Sequence, residues 1–196
     1  IVTLSFYRFS AKTRVRRYLW RTTTFMDEPL EYTGTGLELF LGFVIVLVVV
    51  ILPLIALSTG AELLLSPHHP LLTLIGLLFY PLLLFVIGEA IYRARRYRLS
   101  RTLWRGIRGA MVGSPHRYAW LYTGALLLNG ITLGWSYPEM QTRLFCRLMS
   151  ETAFGSVRFT CTASSGPPHK RFAGPWFRRP VLVVALFARL PVLGET

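Results

Sequence analysis

LELFLGFVIVLVVVILPLIALS, from Leu37 to Ser58, is the stretch on which the fold turns, and its 22 residues hold a single charge, Glu38, near the start. A helix of that length measures about 33 Å, close to the hydrocarbon core of a bilayer, about 30 Å. A second run of the same length, Leu71 to Tyr92 (LLTLIGLLFYPLLLFVIGEAIY), is charged only at Glu89. A third, Tyr118 to Pro138 (YAWLYTGALLLNGITLGWSYP), has no charge and sets Tyr118, Trp120 and Tyr122 at one end against Trp135 and Tyr137 at the other. Aromatics at both ends match the interfacial belts of a spanning segment. Lipid offers no partners to bare backbone groups, so such runs are expected to be helices, with Pro53 and Pro81 marking kinks. Core helices of a soluble protein are the alternative. Two charge-poor runs only twelve residues apart argue against them.

The rest of the chain is basic. Lys and Arg total 22 against nine acids, a formal charge of +13, in a chain that is 53% hydrophobic. Arg8 to Arg21 holds six basic residues and no acid, and Arg93 to Arg117 holds eight arginines and no acid. The stretch between the first two runs, Thr59 to Pro70, has no Lys or Arg. The positive-inside rule therefore places both basic segments in the cytoplasm and TGAELLLSPHHP outside. Because the arginines flank apolar runs, the implied partner is the lipid bilayer and its anionic headgroups rather than nucleic acid. Self-association into a homo-oligomer is left open. Cys146 and Cys161 form no CxxC pair; a disulfide between them is allowed but not indicated.

Offsetting the chain by 129 residues brings Thr3-Leu4, Thr13-Arg14, Leu19, Thr23, Phe25 and Thr33 onto Thr132-Leu133, Thr142-Arg143, Leu148, Thr152, Phe154 and Thr162. A weaker echo at offset 79 sets Arg17, Tyr18, Thr23, Phe25 and Gly34 on Arg96, Tyr97, Thr102, Trp104 and Gly113. The unit reads as a basic helix end, a T-x-[FW] turn, a short amphipathic piece and a glycine before the next helix. The expected fold class is thus all-α, a polytopic transmembrane helical protein with internal repeats. Residues 1–160 form one membrane domain with spans at about 37–58, 71–92 and 118–138, and residues 1–10 read as the tail of a preceding span. Residues 161–196 read as an atypical tail: disordered, interfacial or frameshifted. One conflict remains. A single crossing by the third run puts Arg143, Arg147 and Arg158 outside, against the charge rule. The double aromatic belt favours that crossing; the alternative is a re-entrant hairpin bent at Asn129-Gly130.

The strings TLSFYRFSAKTRVRRYLW, EYTGTGLELFLGF and RARRYRLSRTLWRGIRGAMVGS, followed by TLGWSYPEMQTRL, resemble the YjgN family of bacterial inner-membrane proteins. The resemblance covers about residues 3 to 160 and departs after about Thr162. It implies a multi-pass protein of the bacterial inner (plasma) membrane with a further helix upstream. The family has no established biochemical function, so no catalytic or ligand-binding residue is carried over.

Candidate chemistry is sparse. Glu38 and Glu89 are the only acids in the first two runs, and intramembrane acids mark ion paths by default. Both sit near arginine-rich interfaces, so pairing with Arg is the favoured role. Asn129, beside Gly124, Gly130 and Gly134, fits helix packing first and a substrate contact second. Arg96, Arg101 and Arg105 with Trp104 form the most distinctive segment, a topology determinant or a clamp on anionic headgroups with Trp104 as anchor. His68-His69 with Glu62 is a poor metal set, and no Ser-His-Asp, Cys-His or phosphate-loop pattern appears. No metal, cofactor or catalysis is expected. Two roles survive: a transporter-like or channel-like protein, and a non-transporting scaffold that binds anionic lipid through its arginine-rich segments.

Overall fold

A computed structural model of the chain describes residues 2–64 and 69–189. His68 lies outside them. Helix α1 (Val2–Thr22) carries the first basic segment and runs into three short strands, β1 (Thr24–Phe25), β2 (Glu28–Pro29) and β3 (Glu31–Tyr32). Helix α2 (Gly36–Val46) follows, capped by the Thr35 hydroxyl, which accepts from Glu38 N at 3.4 Å. A π-helical turn at Leu47–Ile51 joins it to α3 (Leu52–Leu64). Pro53 has no N–H to donate, and a ring in the helix interior crowds the preceding turn. The widened turn just before it, where Leu52 N donates to Leu47 O, relieves that conflict within a continuous rod.

Helix α4 (Pro70–Ser100) is continuous through Pro81 and carries the second basic segment on its last turns. Among the described residues, Gly36–Leu64 and Pro70–Ser100, 29 and 31 residues long, are the two helical stretches long and apolar enough to cross a membrane. None of the residues from Gly36 to Leu64 is buried.

The chain then departs from the all-α expectation. The segments written as T-x-[FW] turns are strands: β4 (Thr102–Trp104) pairs with β5 (Ile107–Met111), and β6 (Thr152–Phe154) pairs with β7 (Val157–Arg158). Together with β3 they form a five-stranded antiparallel sheet in the order β3-β4-β5-β6-β7, while β1 and β2 pair separately. The echo at offsets 79 and 129 thus marks β-hairpins, and the expected polytopic all-α fold with internal repeats is overturned. Tight two-residue turns close these hairpins. Met26 and Asp27, then Arg105 and Gly106, have positive φ at both central positions, the geometry that matches the twist of the flanking strands.

The third apolar run does not form a span. It bends. Helix α5 (Pro115–Ile131) has 17 residues and stops short of Thr132; α6 (Tyr137–Ser150) follows. Leu133 and Gly134 take positive φ, and Gly134 N donates to Asn129 O at 2.7 Å. Thr132 Oγ1 accepts from Ser136 N at 3.2 Å, holding the bend a few residues beyond Asn129-Gly130. The far end of α6 returns to where α5 began, since Met111 pairs with Thr152 and Val112 N donates to Glu151 O at 2.9 Å. Both ends of this helical pair therefore sit on the sheet.

The core lies at that end: Tyr92, Met111, Tyr118, Met140 and Leu144 are buried together, drawn from α4, β5, α5 and α6. Helices α4 and α5 touch at Gly88, where a Cβ would come within 2.9 Å of Ala119 Cα. Cys146 and Cys161 are joined in a disulfide, Cα to Cα 5.1 Å, fastening the chain after β7 to α6. The segment read as an atypical tail includes a helix, α7 (Gly166–Arg189). Its Trp176 donates to Leu133 O at 3.1 Å and stacks edge-on against Trp135, covering the α5–α6 bend. Residues 190–196 of that segment lie outside the described ones.

Candidate functional site

The sheet gathers the basic segments. RVRRYLWR (residues 14–21) ends α1, and RARRYRLSR (residues 93–101) ends α4 and enters β4. Trp20 joins the two: its indole donates to Thr102 Oγ1 at 3.0 Å and its ring packs on Tyr32 of β3 at 5.6 Å. The start of α2 is tied to the same place, because Thr33 N donates to Arg101 O at 2.9 Å. The two apolar stretches thus leave from and return to one basic platform.

Most acids here are taken by particular arginines. Arg101 donates to Glu38 at 2.7 Å, and Tyr97 donates to the other carboxylate oxygen, also at 2.7 Å. The ion pair is about a third exposed, so its contribution is small, on the order of 0–1 kcal/mol. Its clear consequence is geometric, since it fixes the first turn of α2 to the end of α4. Glu89 pairs with Arg93 at 3.2 Å and contacts His116 Nδ1 at the start of α5. Arg105 pairs with Glu28 at 2.9 Å and lies over the Trp104 ring, whose indole donates to Phe25 O at 3.1 Å. Trp104 and Arg105 therefore hold the β1–β2 hairpin against the β4–β5 turn.

Of the residues singled out in the sequence, the structure brings Glu38 to Arg101 and Trp104 to Arg105. Glu89 sits further up α4. Asn129 lies at the opposite end of α5, its side-chain oxygen accepting from Ser136 Oγ at 3.4 Å. Arg96 is exposed on α4. What sequence reasoning passed over is the set left without acids. Arg16 Nη1 and Arg95 Nε are buried and have no hydrogen-bond partner, and the buried Tyr32 hydroxyl lies beside that of Tyr97. Arg98 spends one N–H on Ala94 O at 3.3 Å, and Arg95 spends one on Met149 Sδ at 3.4 Å. The available signal was the total absence of acids in both basic strings. A cleft of about 640 Å³ opens alongside, lined by Arg17, Arg21 and the β2–β3 segment. Among the described residues there is no group of three metal-ligating side chains.

Two helices long and apolar enough to cross a membrane are thus rooted in a basic, hairpin-built sheet. The chain belongs to a family described as bacterial protein of unknown function (DUF898), whose model matches residues 1–195. This is the family that the sequence motifs resemble. The match runs through the segment after Thr162 that the sequence alone set apart. No curated protein and no solved structure matches the chain.

Proposed function

We propose that this is a bacterial inner-membrane protein whose two long apolar helices cross the bilayer as a hairpin. Its sheet then lies at the cytoplasmic headgroup layer and binds anionic lipid. The observation that carries this reading is the convergence of both basic strings at the root of the apolar helices, with Glu38 and Glu89 offsetting only Arg101 and Arg93. Each Lys or Arg close to an anionic leaflet contributes about 1 kcal/mol, falling off within a Debye length. On that side of the membrane a reducing environment would oppose the Cys146–Cys161 disulfide of the structure, so that bond is expected only in oxidised protein.

The test is lipid extracted with the protein after detergent purification and quantified by mass spectrometry. Enrichment in anionic over zwitterionic lipid relative to the source membrane, eroded by high salt during washing, is the expected result. Retained lipid with the composition of the source membrane contradicts it.

A transporter-like role has one supporting feature. A groove of about 550 Å³ between α3 and α4 is lined by Ser58, Glu62 and Tyr80 as well as apolar side chains. Solute flux in proteoliposomes that is lost in Glu62→Gln would favour that role over the lipid-binding one.

A further inference from the structure

The arginines without acids are not scattered. Arg95 and Arg98 are three residues apart on α4 and so share a face. Arg16 is four residues before Trp20 on α1, and Trp20 is the side chain that docks α1 on Thr102. Arg16 is therefore turned toward the end of α4. Arg98 feels the charges of both Arg16 and Arg95, together with the Tyr32 phenol. Three like charges have been brought together, with two guanidinium nitrogens buried and unpartnered among them and the Tyr32 hydroxyl close by. Unpaired buried donors and unrelieved cation–cation repulsion are both costly, and an anion with several acceptor oxygens relieves both at once. Arginine's planar fork suits a phosphate in particular.

We propose that Arg16, Arg95, Arg98 and the Tyr32 hydroxyl form a phosphate-binding site at the root of the apolar helices. This rests on the lipid-binding reading and names its recognition element. The chemistry recognised is a phosphate ester or free phosphate; a lipid headgroup is the source that lies nearest to the site.

The experiment uses the full chain purified in a nonionic detergent, followed by thermal unfolding against soluble ligands. Dihexanoyl phosphatidic acid is expected to raise the Tm of the wild type, and dihexanoyl phosphatidylcholine to raise it less. Arg95→Gln and Arg98→Gln should each weaken the apparent Kd about tenfold, the loss expected for one charge-assisted hydrogen bond. Arg108→Gln, on the exposed part of β5, should leave it unchanged. Without ligand, Arg98→Gln should melt no lower than the wild type, because it removes repulsion rather than a native pair. Inorganic phosphate separates the sources: stabilisation by phosphate alone means that the site reads the anion. Stabilisation only by the lipid means that the acyl chains contribute as well.

The site is overturned if neither ligand stabilises the wild type, or if the Arg95 and Arg98 variants bind with wild-type affinity. Should the purified protein still carry anionic lipid in that case, the broader lipid-binding reading survives without this site. Purified protein that shows no anionic enrichment removes both.

Discussion

The apolar helices and the sheet end of this molecule are stabilised by different means. From Gly36 to Leu64 no residue is buried, and side chains such as Val49 and Leu57 are about two-thirds exposed. These helices complete their backbone hydrogen bonds internally and leave their apolar side chains uncovered by the rest of the chain, the arrangement that the proposed lipid surroundings would make favourable. The sheet end buries Tyr92 completely and packs Met111, Tyr118, Met140 and Leu144 around it. It is organised like the core of a small water-soluble domain. The same kind of substitution should therefore have different consequences in the two regions.

Truncation in the core should be the most damaging. Leu144→Ala is expected to cost about 2–5 kcal/mol, while Leu77→Ala, on a residue 69% exposed on α4, should be close to neutral in detergent. Thermal unfolding of the two purified variants measures the contrast, and equal losses would erase the distinction between the regions. A charge reverses the ranking. Val49→Arg, in the middle of the first apolar stretch, should oppose membrane insertion by about 2.5–3.5 kcal/mol, read as a fall in the carbonate-resistant fraction. Val157→Arg, 66% exposed on β7, should leave that fraction unchanged.

Glycine sharpens the boundary within one helix. Gly88→Ala forces a Cβ toward Ala119 and should cost about 1–3 kcal/mol, whereas Gly76→Ala meets nothing within 4 Å and should be neutral or slightly stabilising. A loss on Gly76→Ala as large as that on Gly88→Ala would place a packed interface on the face taken here as lipid-exposed. The smallest effect belongs to Glu28→Gln. The Arg105–Glu28 pair is about half exposed, so at most about 1 kcal/mol is expected, and the loss should shrink in high salt.

The two apolar runs were legible because length and lack of charge are enough to specify them: Leu37–Ser58 falls inside Gly36–Leu64, and Leu71–Tyr92 inside Pro70–Ser100. The hairpins were not legible. Their strands are two to five residues long, too short for alternation to register, and they begin immediately after basic helix ends. Arg105-Gly106 and Gly155-Ser156 are two-residue turn signals, each preceded by T-x-[FW], and they carried the information. The third run misled for another reason. Its aromatic ends look like interfacial belts, yet Trp135 and Tyr137 pack on His169, Phe172, Trp176 and Phe177 of α7. At the site, the absence of acids among the arginines was visible in the sequence. Glu89–Arg93 is an i,i+4 pair within α4 and was legible too; which arginines Glu28 and Glu38 would take was not, because those pairings depend on the hairpins and on the return of α4 to the start of α2.

The central claim is that the sheet lies on the cytoplasmic side of a membrane and the far ends of the two apolar helices on the other. In a Cys146→Ser/Cys161→Ser background, Val157→Cys on β7 and Leu64→Cys at the end of α3 supply one thiol at each end of the molecule. Each is treated with a membrane-impermeant thiol reagent in intact spheroplasts and again after permeabilisation. The expected result is labelling of Leu64→Cys in intact spheroplasts and of Val157→Cys only after permeabilisation. Labelling of Val157→Cys in intact spheroplasts, or the same behaviour at both positions, would contradict it.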